Sequence, residues 1–316
     1  MFKVTLVDHE WDDTSLEESM FAEAGIEFNV LQSKKKSEIV KAAKNSDALL
    51  IMYAEIDREI LEAAPNLKLI SRYGIGINMV DLETAKHAGI QVANVNDYCV
   101  DEVSDHALAS IMSAARRLFV YDKDTSVGGW SFKKAPIPLR ANKASVGLLG
   151  YGKIPKRLAQ KLKVIGYQVK AYDPFVSEEK MLEDGVIKAS LDEIMANSDF
   201  ISIHTPLIQA THHLIGKREL NLMKKTAYII NTSRGPIVDE KILVDVLKDG
   251  RIAGAFLDVT EEEPLSDTHL LRELENVVLT PHAAWYSVDA FEEIRVKAIT
   301  NIIEKSQGID PTYLVK

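Results

Sequence analysis

The chain has 316 residues, with 38 basic against 47 acidic side chains and a formal net charge of −9. That length exceeds what one hydrophobic core usually fills and suits two domains, while the acidic balance argues against non-specific binding to nucleic acid or to an anionic membrane surface. The single cysteine, Cys99, excludes an internal disulfide framework and a multi-cysteine metal site, and it fits a reducing, cytoplasmic setting.

Residues 2–7 already read as a strand, so no secretory signal is expected before them. The longest apolar runs, such as residues 48–54, are too short to span a bilayer. Short β-rich apolar runs follow at residues 3–7, 28–31, 48–52, 67–71 and 91–94, with helical patterns between them, for example at 36–44 and 57–64. This alternation predicts βαβ units around a buried parallel sheet. A longer helix is expected over residues 100–119, with Ala107, Leu108, Ile111, Ala114 and Ala115 on one face. Residues 122–143 hold Gly128, Gly129, Pro136 and Pro138 and no clear period, so they read as a loop or arm. A second series of strands is expected at residues 145–149, 168–172, 200–204, 227–231, 254–258 and 277–279, and a last helix at 290–303. Two such series imply an α/β protein of two doubly wound, Rossmann-like parallel-sheet domains with a cleft between them.

The segment 144–155 is a strand, a glycine turn and a helix start. Gly150 and Gly152 match the first two glycines of G-x-G-x-x-G, where the backbone approaches a pyrophosphate at a helix N-terminus; Lys153 and Ile154 follow as the first N–H donors. Pro155 stands at the third glycine position, where its missing N–H is tolerable in a first helical turn. Asp173 ends the next strand, 21 residues after Gly152, where a carboxylate suits the ribose hydroxyls of NAD and repels the extra phosphate of NADP. A glycine turn can be only a turn, and Asp173 only a cap.

Three later strand ends carry polar residues of catalytic type: Arg234 after residues 229–233, Asp258 and Glu263 after 253–257, and His282 after 276–281. Ligands of open α/β sheets bind beyond the carboxyl ends of the strands. Singly, each side chain could be structural.

Together these segments resemble the D-isomer-specific 2-hydroxyacid dehydrogenases over nearly the whole chain. The matching pieces are Tyr-Gly-Ile-Gly-Ile-Asn at 73–78, the glycine turn, His-Thr-Pro-Leu at 204–207, Asn-Thr-Ser-Arg-Gly at 231–235, Asp258-Val259 with Glu263-Pro264, and Thr-Pro-His at 280–282. The ending at 282–287 is most similar to the branch with C-terminal-binding-protein-like members. The resemblance implies NAD as cofactor, a 2-hydroxy or 2-keto acid as substrate, and Arg234, Glu263 and His282 as the catalytic trio. His282 would exchange a proton with the substrate oxygen, Glu263 would orient the ring, and Arg234 would fork onto the substrate carboxylate. It further places Asp258 near the nicotinamide and His204, Thr205, Pro206, Thr232 and Ser233 along the cofactor. The backbone of Tyr73, Gly74, Ile75 and Gly76 would meet the substrate carboxylate, with Tyr53 nearby; Asn78-Met79 replaces the family's Asp-Asn after this loop. The first domain would comprise residues 1–100 plus 288–316, the cofactor domain 101–287, and the 122–143 arm with Trp130 would reach across a homodimer.

Glu263 argues against formate dehydrogenases, which typically carry glutamine there. Phosphoglycerate dehydrogenase stands as the alternative, with Arg72 and Lys134 available for a phosphate, although Tyr53 occupies the place of a usual arginine and the chain ends at Lys316 without room for a regulatory domain. An alternative of another class is an NAD(H)-regulated, corepressor-like binding protein. Trp285, three residues after His282, would offer an apolar wall to a substrate side chain if it lines the cleft.

Overall fold

The computed structural model describes residues 1–315. The chain forms two compact units, one of Met1–Tyr98 with the residues from Ser287 onward, the other of Cys99–Tyr286.

In the first unit, strands β1 (Lys3–Leu6), β2 (Glu27–Val30), β3 (Ala48–Ile51), β4 (Leu69–Arg72) and β5 (Gln91–Ala93) form one parallel sheet in the order β2-β1-β3-β4-β5. Helices α1 (Ser15–Glu23), α2 (Lys36–Ala43), α3 (Arg58–Glu62) and α4 (Leu82–His87) make the crossovers. Every residue of β3 and β4 is buried, which is why these strands read as unbroken apolar runs and not as alternating ones. Asp57 and Asp81 cap α3 and α4 by accepting the N–H of Ile60 and of Thr84.

The second unit opens with α5 (Val100–Arg116) and α6 (Leu118–Ser126), followed by β6 (Ser145–Leu149), α7 (Lys153–Ile165), β7 (Gln168–Tyr172), α8 (Glu178–Glu183), β8 (Ile187–Lys188), α9 (Leu191–Asn197), β9 (Phe200–Ile203), α10 (Lys217–Leu222), β10 (Tyr228–Asn231), α11 (Glu240–Lys248), β11 (Gly254–Leu257) and β12 (Val277–Leu279). The seven strands are parallel in the order β12-β11-β10-β9-β6-β7-β8. Successive strand residues serve opposite faces. Ile201, Ile203 and Ile229 pack in one core with Ile194, Leu243 and Leu247, whereas Phe200, Tyr228 and Ile230 pack in the other with Ile111, Leu158 and Leu162. The strand order reverses between β6 and β9, the place where such sheets bind ligands. Helix α12 (Val288–Ser306), capped by Ser287, returns to the first unit.

The structure corrects two expectations. The helix expected over 100–119 stops at Arg117, whose backbone is left-handed (φ 60°). That conformation costs a non-glycine residue about 1–2 kcal/mol. It is held by the Arg117 Nη1 hydrogen bond to the Ala114 carbonyl (3.0 Å) and by the guanidinium lying 5.0 Å from the Tyr228 ring centre. The supposed loop at 122–143 is instead partly helical: α6 runs to Ser126, and short 3₁₀ turns occupy Phe132–Lys134 and Ala141–Lys143. Helix α6 buries none of its residues, so it carries no apolar stripe by which a sequence pattern reveals a helix.

Candidate active site

The second unit assembles its polar residues at the carboxyl ends of β6, β7, β9, β10, β11 and β12. Beyond β6, Gly150 has φ 93°, and a Cβ there would lie 2.9 Å from the His204 carbonyl oxygen after β9. Glycine is therefore needed for the turn and for the close approach of the two strand ends. At Gly152, by contrast, a Cβ would meet nothing within 4 Å, although this residue caps α7. The N–H groups of Lys153 and Ile154 begin that helix, and Pro155 is the buried third residue of its first turn, where no intrahelical acceptor awaits its N–H. Asp173 closes the loop from β7: its carboxylate accepts the N–H of Tyr151 (2.8 Å) and of Phe175 (2.8 Å). It thus serves as a turn residue and also stands beside the glycine loop.

After β9, the His204 ring is turned inward and shares a hydrogen bond with Ser202 Oγ (2.8 Å); burial pushes its pKa down to about 3, so the ring is neutral. The hydroxyl oxygens of Thr205 and of Thr232, after β10, are buried with no hydrogen-bond partner among the described residues. Buried hydroxyls are ordinarily bonded. Two such groups beside a helix N-terminus and an open glycine cradle fit a dinucleotide laid across the β6/β9 reversal, with Thr205, Thr232, Gly152 and the first turn of α7 as its holders.

The loop after β10 is organised by Asn231, which accepts the Ser233 N–H (3.0 Å) and donates to the Arg234 carbonyl (2.9 Å). Ser233 Oγ donates to the Thr205 carbonyl. This presents Arg234, half-buried, with Nη1 on the Ser233 carbonyl (2.7 Å). Beyond β11, the Glu263 carboxylate accepts the Thr260 N–H (3.2 Å) and lies 2.7 Å from His282 Nδ1. Burial raises the Glu263 carboxyl, but the His282 hydrogen bond and charge, together with the Thr260 N–H and the Arg234 charge, outweigh it and hold the group below the usual carboxylate range. His282 follows β12 with a left-handed backbone (φ 52°). Its N–H is donated to the Asp258 carbonyl (2.8 Å). The Asp258 carboxylate is buried and takes donors from the same turn: Thr280 Oγ1 (2.5 Å), Ala283 N (2.9 Å) and Ala284 N (3.0 Å). Trp285 is half-buried, edge-on to Tyr286.

In the first unit, Tyr53 follows β3, where Asp8 accepts its N–H (2.7 Å) and that of Met52 (2.9 Å). Gly74 (φ 126°) begins the loop after β4, packed beneath the Arg72 side chain. Gly74 and Ile75 give their carbonyls to Val95 N and Asn94 Nδ2, while the N–H groups of Gly74, Ile75 and Gly76 meet no acceptor among the described residues. Tyr73 departs from the expected substrate role. Its N–H is donated to the Ile51 carbonyl (2.9 Å), and its hydroxyl, on a fully buried ring, is donated to Glu17 (2.8 Å). It supports the loop without lining it. Asn231, Thr260 and Thr280 also organise the site; the sequence set Asn231 and Thr280 in matching segments without giving either a role, and did not single out Thr260.

A sequence model described as "D-isomer specific 2-hydroxyacid dehydrogenase, NAD binding domain" matches residues 108–284. The chain is 37% identical to a glyoxylate reductase of Korarchaeum cryptofilum, over 89% of this chain and 86% of that one. It is 34% identical to a D-3-phosphoglycerate dehydrogenase of Archaeoglobus fulgidus, over 90% of this chain and 54% of that one. Among solved structures, D-lactate dehydrogenase from Aquifex aeolicus, complexed with NAD and lactic acid, superposes with a TM-score of 0.87 at 27% identity, covering 96% of each chain.

Proposed function

Because the chain belongs to the D-isomer specific 2-hydroxyacid dehydrogenases and is an NAD-dependent enzyme of that family, we propose that it reduces a small, unphosphorylated 2-keto acid to the D-2-hydroxy acid, and the reverse, with Arg234, Glu263 and His282 as its reacting groups. The observation that carries this reading is the 2.7 Å pairing of His282 Nδ1 with Glu263, beside the Arg234 charge. NADH supplies the hydride when bound. His282 Nδ1–H is donated to the carboxylate, which leaves Nε2 to deliver the proton to the substrate oxygen and to take it back in oxidation. Arg234 anchors the substrate carboxylate and polarises the carbonyl. Asp173 sets the preference for NAD over NADP.

Glyoxylate is the first substrate to try, since the Korarchaeum relative is named for it. Phosphohydroxypyruvate is the second reading, favoured by the Archaeoglobus relative. Against it, Tyr53 stands just beyond β3, and Lys134 pairs with Asp124 (3.6 Å). The test is NADH oxidation by the purified chain with glyoxylate, pyruvate, hydroxypyruvate, a branched-chain keto acid, phenylpyruvate and phosphohydroxypyruvate. Turnover of a small unphosphorylated acid, falling by the ~10²–10⁴ of a general acid in His282→Ala, is expected. Highest kcat/KM with the phosphorylated acid would reassign the substrate, and near-normal turnover by His282→Ala would remove the proposed donor.

The same proposal includes a cytoplasmic homodimer. No helix among the described residues is long and apolar enough to cross a membrane. The segment after α6 exposes Trp130 (91%), Phe132 (80%) and Ile137 (92%), large apolar side chains that a second copy would cover. Light scattering should give twice the chain mass, reduced to one by Trp130→Asp with Ile137→Asp; a wild-type monomer would refute this part alone.

A further inference from the structure

We propose that His106, on α5, is a positioning residue for His282, acting through Thr280 and Asp258; the proposal rests on the reading of His282 as proton donor. Thr280 Oγ1 gives its one proton to Asp258 Oδ1 at 2.5 Å. Toward His106 Nε2, 3.2 Å away, that oxygen can then only accept, so His106 carries a proton on Nε2. The hydrogen bonds run in one direction, from His106 through Thr280 to Asp258.

Their end point is the turn that presents His282. Asp258 has 1% of its side chain exposed, and His106 Nε2 lies 4.0 Å from its Oδ1. The carboxylate gathers Ala283 N and Ala284 N, and the Asp258 carbonyl takes His282 N. His282 is left-handed at φ 52°, a backbone state that a non-glycine residue keeps only when its surroundings fix it. Glu263 fixes the ring at Nδ1 only, whereas the Asp258 bonds fix the backbone beneath it. Without the His106 N–H, a lone pair of the Thr280 hydroxyl loses its donor, and the hydroxyl can turn away from Asp258. The carboxylate then loses its shortest bond, and the turn relaxes. Nε2 of His282 moves with it, and proton delivery depends on that position more steeply than binding does.

The experiment uses the full chain with NADH and whichever keto acid it turns over, in wild type, His106→Phe, His106→Gln, Thr280→Val and the His106→Phe/Thr280→Val pair. His106→Phe should lower kcat on the order of ten- to a hundredfold, with NADH affinity and keto-acid KM changed by less than about threefold. His106→Gln places an amide N–H near the site of Nε2 and should restore most of kcat. The double variant should be no slower than Thr280→Val, because both changes cut one chain of bonds. Equal losses in the Phe and Gln variants, additive losses in the pair, or a loss carried by NADH binding would overturn the proposal. Long-range ¹H–¹⁵N imidazole spectra of the wild type read the His106 tautomer without any turnover. A proton on Nδ1 alone would overturn the chain of bonds. A chain inert toward every keto acid would defeat the functional reading while leaving that spectrum to be read.

Discussion

At His282 the useful quantity is the coupling between an imidazole and a carboxylate 2.7 Å apart. The Glu263 carboxyl is lowered because ionising it is favoured by His282 and Arg234, and the coupling acts in both directions. A lowered carboxyl contributes above its ordinary value of 4.5 and loses that contribution only as pH falls through its folded value. The Glu263 carboxylate therefore stays charged across neutral pH, and its protonation belongs to the acid limb. Glu263→Gln keeps a hydrogen-bond acceptor but removes the charge that favours imidazolium. The acid limb that protonation of Glu263 gives to kcat/KM should then be missing, and keto-acid reduction at neutral pH should fall. Profiles of kcat/KM in both directions that coincide with wild type would separate Glu263 from the histidine. Arg234→Lys keeps charge and loses the fork; kcat/KM should fall on the order of tens-fold, mostly in KM, with NADH affinity little changed. Loss of NADH affinity without a substrate effect would assign Arg234 to the cofactor. The places of these three side chains beyond the ends of consecutive strands were legible in the sequence, and the resemblance supplied the roles proposed for them. The roles of Asp258 and Tyr73 were not, because a sequence shows which groups a residue carries and not which of them its neighbours have already engaged.

The β6–α7 loop separates two glycines that look alike as letters. Gly150 is bound by its positive φ and by the His204 carbonyl, so Gly150→Ala should lower thermal stability and soluble yield before any cofactor is added. Gly152 has an ordinary φ of −84° and open space where a Cβ would go. Gly152→Val should therefore fold with a melting temperature near wild type and lose NADH affinity severely, as read by fluorescence titration. Unchanged affinity in the Val variant would mean the pyrophosphate is held elsewhere, and a collapsed fold would mean the open space is closed in solution. The elements around this loop were readable in proportion to their burial. Strands β9, β10 and β11 bury every residue and stand out as apolar runs. Strand β8 is two residues long with neither buried, and α6 buries none, so each lacks the pattern that sequence reading depends on.

Because the chain leaves the first unit after Tyr98 and re-enters it at Ser287, that unit must recover α12 from far along the sequence, and something must fix where the helix lands. Apolar contacts alone would allow it to slide. Polar ties remove that freedom: Ser71 Oγ donates to the Ala298 carbonyl (2.8 Å), Asn301 Nδ2 donates to the Asn94 carbonyl (3.2 Å), and Arg295 Nε donates to Glu17 on α1 (2.9 Å). The ion pair is the most demanding, since its side chains are 10% and 0% exposed. Glu17 also accepts the Tyr73 hydroxyl, and burial followed by the Glu17 charge pushes that phenol well above its ordinary range. One carboxylate thus joins the first helix, the last helix and the residue that leads into the glycine loop after β4. A buried pair is weak evidence for net stability, yet leaving one half unpaired is costly. Arg295→Met strands the Glu17 carboxylate and should destabilise the first unit by about 3–5 kcal/mol. Glu17→Leu should do the same by stranding the guanidinium, whereas Glu17→Leu with Arg295→Met should recover most of the loss. Denaturant unfolding followed by Trp11 fluorescence measures this, because Trp11 packs 5.2 Å from Tyr73 and 4.9 Å from Phe291 within the same cluster. If the double variant is no more stable than either single one, the ties are separate contacts and the pair does not set the seat of α12. If Arg295→Met unfolds at the wild-type midpoint, apolar packing alone holds the helix.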